Sequence, residues 1–330
     1  MRDGYKRNIN YMRISVTDRC NLRCMFCMPK ENNIRYLSRE KILSYEQIET
    51  IVLEAVALGI THFRITGGEP LVRKNIEDLV TSIKAIPKVE SVTMTTNGIL
   101  LSDKIDRLIQ AGIDGINISL SSMDREVYKQ ITGYDGLNEA LDGIRLAYDK
   151  GINVKVNCVP MPNINSQGLE QVALLAKDKN IAVRFIEMMP IGEGSNYHMI
   201  KNEDLLDRFE KNFGKAKLSD EYLSNNIGNG PAVYYQFPDF QGNIGFISAR
   251  SCRFCERCNR VRLTADGRLK LCLQYEESVD LKSILQEKKT LRQVMEQAIR
   301  RKPKQHDFDN QIIDKNIDDI EKNNMNQIGG

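Results

Sequence analysis

Three cysteines lie close together near the amino-terminal end of the chain, with the spacing Cys20-x3-Cys24-x2-Cys27. Three thiolates on so short a loop can ligate a [4Fe–4S] cluster, whose fourth iron then stays open to a small-molecule ligand. A structural zinc ion would need a fourth nitrogen or sulfur ligand, and no nearby residue is an obvious one. The spacing therefore favours an iron–sulfur cluster with one open iron.

A second group of cysteines, near the other end of the chain, has the spacing Cys255-x2-Cys258-x13-Cys272, and Cys252 precedes it by three residues. The segment 260–273 is typical of a hairpin, with an Asp-Gly pair at its turn. Such a hairpin would return Cys272 to the level of the other two thiols. On spacing alone, this group fits structural zinc and an iron–sulfur cluster equally well.

Two arginines that follow directly, Arg260 and Arg262, favour a catalytic site. Alternate residues of a strand point to the same side, so the two guanidiniums would lie side by side next to the cysteines. A pair of this kind can bind the oxygens of a phosphate. The alternative is that both arginines are solvated, as strand arginines commonly are.

Composition limits the class of protein. The 330 residues include 47 lysines and arginines and 44 aspartates and glutamates, so the formal charge is only +3 and predicts no nucleic acid or anionic membrane as partner. Apolar residues make up 41% of the chain, enough to bury a core. No stretch approaches the roughly 18–20 apolar residues of a membrane span, and the charged first residues do not resemble a secretion signal. We therefore expect a cytoplasmic protein with reduced thiols.

The elements that must position these groups alternate along the first two-thirds of the chain. The predicted strands are residues 12–16, 62–66, 91–95, 115–119, 153–159 and 182–187. The predicted helices are residues 45–58, 75–86, 102–111, 137–150 and 167–179, with N-caps at Ser44, Ser102 and Ser166. Six strand-then-helix units predict an α/β fold, a parallel sheet with helices outside.

Several unusual residues fall where the predicted strands end. Gly67-Gly68-Glu69-Pro70 follows the second strand, and Ser119 ends the fourth. Because ligands bind at the carboxyl ends of strands in α/β barrels and in open sheets, these groups would lie together in either fold. The distribution favours a complete or partial barrel, and an open doubly wound sheet stays possible. Cys158, on the fifth strand, is most simply a buried small side chain.

The first cysteine loop resembles that of the radical S-adenosylmethionine superfamily, with Phe26 at its aromatic position. Longer stretches are similar to the GTP 3′,8-cyclase family: RISVTDRC at 13–20, MFCMP at 25–29, RITGGEP at 64–70, CNRVRLTADG at 258–267 and KPKQHDF at 302–308. The terminal Gly329-Gly330 matches the double-glycine tail of that family. Phe26 stands where tyrosine is common, and Cys252 is not part of the family pattern.

The resemblance implies an incomplete (βα)6 TIM-type barrel, whose open side is closed by a smaller carboxyl-terminal α+β domain. The alternation of strands and helices stops near residue 195, so we expect the barrel over residues 1–195 and the second domain over 196–330. Two [4Fe–4S] clusters and S-adenosylmethionine are the implied cofactors. The implied cluster ligands are Cys20, Cys24 and Cys27 for one cluster and Cys255, Cys258 and Cys272 for the other.

The family pattern also implies ligand contacts. S-adenosylmethionine would contact Phe26, Gly68, Ser119 and Met189. GTP would contact Arg13, Arg64, Thr95, Lys155, Arg260, Val261 and Arg262, and of these Arg13, Arg260 and Arg262 would be catalytic. The open iron of the second cluster would take the guanine base.

The implied reaction converts GTP to (8S)-3′,8-cyclo-7,8-dihydroguanosine 5′-triphosphate through a 5′-deoxyadenosyl radical, the first step of molybdenum cofactor biosynthesis. The implied partners are GTP, a second copy of the chain, an electron donor and a cyclic pyranopterin monophosphate synthase that receives the product. Two alternatives stay open: a radical peptide-modifying enzyme with an auxiliary cluster, and a zinc-binding interaction module.

Overall fold

Strands and helices alternate along most of the computed structural model, which describes residues 1–29, 36–224, 230–308 and 320–329. The strands are β1 (Tyr11–Ser15), β2 (His62–Thr66), β3 (Ser91–Thr96), β4 (Gly115–Ser119), β5 (Asn153–Cys158), β6 (Ala182–Ile186), β7 (Lys217–Leu218), β8 (Val233–Gln236), β9 (Asn243–Ile247), β10 (Arg260–Leu263), β11 (Arg268–Lys270) and β12 (Ser278–Asp280). The helices are α1 (Tyr45–Ala57), α2 (Ile76–Ala85), α3 (Ile105–Gln110), α4 (Arg125–Thr132), α5 (Leu137–Asp149), α6 (Leu169–Ala173), α7 (Asn202–Phe213), α8 (Asp220–Leu223), α9 (Lys288–Arg300) and α10 (Met325–Ile328). None of the helices in these ranges is both long enough and apolar enough to span a bilayer.

The six strands predicted from the sequence are all present, with ends that differ by no more than one residue. Ser44 caps α1 as predicted: its hydroxyl accepts from the Gln47 N–H at 3.3 Å, and the Gln47 side chain accepts from the Ser44 N–H at 2.9 Å. The prediction of Ser102 as an N-cap was wrong, because α3 begins three residues later, after Lys104. The sequence patterns also missed α4.

Strands β1 to β6 lie side by side in chain order, and each pairs in parallel with the next. This confirms the prediction of an α/β fold with a parallel sheet. The carboxyl-terminal part adds a parallel strand at each end of this set, since β9 pairs with β6 and β10 pairs with β1. The same twelve-stranded sheet therefore contains strands from both parts of the chain.

The predicted hairpin after the second cysteine group is confirmed. Strands β10 and β11 pair antiparallel, with Arg262 opposite Lys270. Gly267 lies at the turn with φ of +87°, a left-handed conformation that glycine adopts without strain, and its N–H donates to the Thr264 carbonyl at 3.0 Å. The turn thus returns the chain towards Cys258.

The two faces of the parallel strands differ in character. On β3, Val92 and Met94 are fully buried in the apolar core, whereas Thr93 and Thr95 on the opposite face are only half-buried. Strand β1 has the same pattern, because Arg13 is half-buried between two fully buried apolar neighbours. Because side chains alternate along a strand, the apolar face packs in the core and leaves the polar face to line a cavity.

Aromatic packing fixes α7 against the strands where β9 joins the sheet. The Phe209 ring lies 5.0 Å from that of Phe185 on β6 and 6.3 Å from that of Phe246 on β9, measured between ring centroids. Phe209 is fully buried. Its ring therefore joins the edge of the first six strands to the carboxyl-terminal part of the chain.

Phe209→Ala is expected to lower the free energy of unfolding by about 3–5 kcal/mol, because it removes a buried ring and leaves a cavity. Leu223→Ala is the control, since Leu223 is 62% exposed and its loss should change stability by less than about 0.5 kcal/mol. Urea unfolding followed by circular dichroism measures both. Equal midpoints for the two variants would contradict this account of the packing.

Candidate active site

A single cavity collects nearly all the residues that the sequence predicted for the site. Its lining includes both cysteine groups, the four positions implied for S-adenosylmethionine and most of those implied for GTP. These residues are Cys20, Cys24, Cys27, Cys255, Cys258, Cys272, Phe26, Gly68, Ser119, Met189, Arg13, Arg64, Thr95, Arg260 and Arg262. The cavity lies on the polar face of the sheet and at the carboxyl ends of its strands.

Two predicted residues do not line this cavity. Val261 is 1% exposed and its side chain belongs to the apolar core, so only its backbone is available to a ligand. Lys155 lines a neighbouring cavity with Glu221 and Asn243. Burial, followed by the nearby charges of Arg184 and Arg64, lowers the pKa of Lys155 to about 7, so this amine is close to the cations of the main cavity.

The loop after β1 presents the first three thiols to the cavity. The N–H groups of Cys27 and Met28 both donate to the Cys24 carbonyl, at 2.9 and 3.0 Å, which closes a tight turn. Burial raises the pKa of the Cys20 thiol to about 11, and burial together with the charge of Cys20 raises that of Cys27 to about 12. Burial therefore disfavours the thiolate form of these cysteines, and the positive charge of a bound metal would favour it.

The Gly-Gly-Glu-Pro turn after β2 packs against the first cysteine loop. A Cβ atom on Gly68 would lie 2.4 Å from the Arg19 carbonyl oxygen and 2.9 Å from that of Asp18. No side chain fits so close to backbone, so glycine is required for the two loops to touch. The Gly68 N–H donates to the Thr17 carbonyl at 2.7 Å.

Glu69 connects two of the loops that border the cavity. It lines the cavity, is 1% exposed, and its carboxylate accepts three hydrogen bonds from the protein. The donors are the Leu71 N–H at 3.0 Å, the Thr96 hydroxyl at 2.7 Å and the Asn97 N–H at 2.7 Å. Burial raises the pKa of Glu69 to about 7. Glu69 thus joins the loops after β2 and β3.

The three thiols of the second cysteine group, Cys255, Cys258 and Cys272, line the same cavity. The Cys258 N–H donates to the Cys255 carbonyl at 3.1 Å, and the β10–β11 hairpin returns Cys272 beside them. Burial opposes ionisation of Cys258, but the charges of Lys302 and Arg260 outweigh it and lower the pKa of this thiol to about 7. Cys252 is exposed and does not line the cavity.

All eight cysteines are free thiols, and Cys158 is buried at 1% exposure, as the sequence predicted. In the described part of the chain, no group of three His, Cys, Asp or Glu side chains is placed to hold a single metal ion. The donor chemistry of the two cysteine groups, three thiols each on the wall of one cavity, fits iron–sulfur clusters with an open iron.

Three arginines stand in one row across neighbouring strands. Arg13 on β1 is in register with Arg262 on β10 and with Arg64 on β2. Adjacent strands are about 5 Å apart, so the three arginine side chains project from the sheet side by side. Burial, then the charges of Arg262 and Arg64, holds the pKa of Arg13 well below its ordinary value. The three positive charges repel one another, and a bound anion with several negative charges would reduce this repulsion.

Another arginine of the cavity, Arg184, was missed at the sequence level. Arg184, in the middle of β6, is 4% exposed and lines the cavity. Its Nη2 donates to the Asn117 side chain, and its Nε donates to the Asn157 Oδ1 at 2.8 Å. A lone arginine within the apolar run AVRFI was the available signal, because an isolated charge in a core strand indicates a polar cavity.

The end of the chain, residues 320–329, lies against the same cavity. Arg262 donates from its Nη1 to the Gly329 carbonyl at 2.8 Å, and Met325 lines the cavity. The Asn326 side chain donates to the Asp18 carbonyl at 3.0 Å, next to the first cysteine loop. The last residue, Gly330, is outside the described residues. This tail therefore contacts the surroundings of both cysteine groups.

Comparison with known proteins decides the family. The model of the Radical SAM superfamily matches residues 14–176, and that of Molybdenum Cofactor Synthesis C matches residues 181–308. A protein of Clostridium perfringens named GTP 3′,8-cyclase is 39% identical over 333 residues, and one of Petrotoga mobilis is 42% identical over 339 residues. Both alignments cover 100% of both chains. The chain belongs to the GTP 3′,8-cyclase family.

Solved structures with low identity share the fold of this GTP 3′,8-cyclase family member. Streptococcus suis SuiB bound to S-adenosylmethionine has a TM-score of 0.61 and 13% identity, over 84% of this chain and 65% of the SuiB chain. SuiB bound to the precursor peptide SuiA has a TM-score of 0.59 and 14% identity, over 84% and 64%. The chain thus spans about two-thirds of the length of SuiB, and this likeness supports the α/β fold.

Gly68→Ala is expected to disturb the first cysteine loop, because the new Cβ would overlap the Arg19 carbonyl. Overpacking of this kind costs about 1–3 kcal/mol of unfolding free energy, and the iron content of the reconstituted chain should fall with it. Urea unfolding and iron analysis of the reconstituted chain measure the two effects.

The control for this substitution is Gly168→Ala. The nearest atom to a Cβ there is the flexible end of the Gln171 side chain, at 3.3 Å. It should leave stability within about 0.5 kcal/mol and iron content unchanged. A Gly68→Ala chain that matches the control in both measurements would show that the contact with Arg19 is not required.

Proposed function

We propose that this chain is a radical S-adenosylmethionine enzyme that converts GTP to (8S)-3′,8-cyclo-7,8-dihydroguanosine 5′-triphosphate, the first step of molybdenum cofactor biosynthesis. The observation that carries the proposal is the arginine row of Arg262, Arg13 and Arg64, which shares one cavity with both cysteine groups. Full-length relatives named GTP 3′,8-cyclase support it.

The first cysteine group would hold the cluster that binds S-adenosylmethionine. Cys20, Cys24 and Cys27 are its ligands, and this cluster, when bound, supplies the electron that cleaves S-adenosylmethionine to methionine and a 5′-deoxyadenosyl radical. Phe26, Gly68, Ser119 and Met189 line the same cavity and would contact S-adenosylmethionine. Gly68 leaves the space for close approach of the backbone.

The second cysteine group would hold a second [4Fe–4S] cluster through Cys255, Cys258 and Cys272, with an open iron for the guanine base. The second cluster, next to the arginine row, would fix the guanine base of GTP. The arginines would fix the triphosphate at the other end of the molecule. Two fixed ends orient the ribose between them, and orientation is the main contribution that a protein makes to a radical reaction of its ligands.

The triphosphate would lie against the cations. Arg13, Arg64, Arg260 and Arg262 line the cavity, and Thr95 offers a hydroxyl on the same face. Lys155 would approach from the neighbouring cavity, and Val261 would contribute its backbone only. A triphosphate carries about four negative charges, which relieves the repulsion within the row. Arg13, Arg260 and Arg262 are proposed as the catalytic residues of this set.

The sheet would curve as an incomplete (βα)6 TIM-type barrel over residues 1–195, closed on its open side by a smaller α+β domain over residues 196–330. The parallel pairing of β9 with β6 and of β10 with β1 supports this arrangement, because both ends of the six-stranded set are bordered by carboxyl-terminal strands. Two clusters, a homodimer, a cytoplasmic location, an electron donor and transfer of the product to a cyclic pyranopterin monophosphate synthase complete the proposal.

The activity is tested by anaerobic reconstitution with iron and sulfide, followed by incubation with reductant, S-adenosylmethionine and GTP. We expect GTP-dependent 5′-deoxyadenosine and one cyclised nucleotide, detected by mass spectrometry. Release of 5′-deoxyadenosine with a peptide but not with GTP would favour a peptide-modifying enzyme. Zinc without sulfide, and no broad visible absorption, would favour a zinc-binding interaction module.

Arg260→Ala and Arg262→Ala should each weaken GTP binding roughly 10–100-fold, since a hydrogen bond to a charged group contributes about 1.5–3 kcal/mol. Iron content should not change, because neither side chain is a cluster ligand. Equilibrium dialysis with GTP and iron analysis measure the two quantities. Arg268→Ala is the matched control: Arg268 lies on the same hairpin, is exposed and donates to the Ser278 hydroxyl. Equal affinity in all three variants would remove the arginines from the triphosphate site.

A further inference from the structure

Arg7, which precedes β1, uses its whole hydrogen-bonding capacity on groups of the protein. Its Nε donates to the Asp3 carboxylate at 2.6 Å. Its Nη1 donates to the carbonyls of Cys255 at 2.9 Å and Lys304 at 2.7 Å, and its Nη2 to those of Pro303 at 2.7 Å and Lys302 at 3.5 Å. A guanidinium has five N–H donors, so each one has an acceptor here.

The charge of Arg7 is neutralised where it is buried. The side chains of Arg7 and Asp3 are 6% and 0% exposed. The Asp3 carboxylate also accepts from the N–H groups of Tyr5 and Arg7, both at 2.9 Å. A buried ion pair is tolerated only when its remaining donors and acceptors are satisfied, as they are in this pair. Asp3 therefore holds the Arg7 guanidinium in a fixed position and orientation.

The acceptors of Arg7 belong to the surroundings of the second cysteine group. Cys255 itself offers the carbonyl, although it is 248 residues away in the sequence. The backbone of His306, just beyond the other three acceptors, hydrogen-bonds the Cys255 thiol. Lys302 is 3% exposed and donates to the carbonyl of Leu271, the residue before Cys272. Two buried cations thus hold the backbone at two of the three cysteines.

We propose that Arg7 is a positioning residue for the carboxyl-terminal cluster site, where it fixes the Cys255 backbone and the segment 302–304 so that Cys255, Cys258 and Cys272 face one point. The inference rests on the proposed second cluster and adds a residue that the cysteine pattern does not contain. Arg7 also lines the cavity. Residues that orient metal ligands typically change metal affinity roughly 10–100-fold when they are replaced.

The test uses the full chain with Cys20, Cys24 and Cys27 replaced by alanine, so that only the carboxyl-terminal site can hold a cluster. Arg7→Met is combined with Asp3→Asn, because Asp3 would otherwise be left as an unpaired buried charge. Arg7→Lys keeps the charge but has too few donors to reach all the carbonyls. The matched control is Arg208→Met with Glu170→Gln, since Arg208 also joins a carboxylate to a backbone carbonyl, that of Ser166 at 2.6 Å, outside the cavity.

Three measurements are made on each reconstituted chain: iron per chain, the concentration of chelator that removes half of the iron, and the change in the electron paramagnetic resonance of the reduced cluster when GTP is added. We expect about four irons per chain in the background chain and in the Arg208 control. In the Arg7→Met, Asp3→Asn chain, the chelator concentration that removes half of the iron should fall roughly 10–100-fold. The change in electron paramagnetic resonance on addition of GTP should be lost. Arg7→Lys should restore part of both.

The possible failures are distinguishable. If the background chain binds no iron, the proposed second cluster is wrong and the role of Arg7 is wrong with it. If the background chain binds about four irons and the Arg7 variants keep the same chelator resistance and GTP response, the cluster stands and the Arg7 proposal is overturned. Urea unfolding separates a general effect from a local one: loss of iron must exceed that of the Arg208 control at equal stability, and equal loss overturns the proposal.

Discussion

Repulsion among the buried arginines is the constraint on which the cavity depends. Arg262, Arg13 and Arg64 leave three neighbouring strands at the same level, and burial together with their mutual charge disfavours the protonated form of Arg13. The opposite face of these strands is apolar and fully buried, and this packing holds the cations at their spacing. A fold that fixes like charges together is complementary to a polyanion, and both cysteine groups line the same cavity as these arginines.

The walls of the cavity are formed by residues from several parts of the chain. The thiols come from two short local motifs, but the groups that hold those motifs come from distant parts of the chain. Gly68 supports the first cysteine loop, Arg7 contacts the backbone of Cys255, and the tail reaches Arg262 through the Gly329 carbonyl. Neither cysteine group is therefore an independent module in this structure, since each is held by contacts from other parts of the chain.

Local signals made much of this predictable. Alternation of β-branched and amphipathic stretches predicted the six parallel strands, and an Asp-Gly pair predicted the hairpin after Cys258, because strand ends and turns depend on neighbouring residues. Helix α4 was missed since REVYKQIT contains three β-branched residues, although Asp124 at its start and Gly133 at its end are typical helix caps. The arginine row and the contacts of Arg7 could not be predicted, because register and pairing over 248 residues are set by tertiary packing.

The late positions of β9 and β10 in the sequence also affect the state of the chain during its synthesis. When only the first six strands have emerged, β1 and β6 each have one edge without its final partner, and an open edge of a parallel sheet is a template for pairing with another chain. The partner of β6 follows after about sixty residues, but that of β1 ends only at Leu263. A nascent chain thus carries an open strand edge until β10 has been synthesised, and an unpaired edge of this kind favours aggregation during folding.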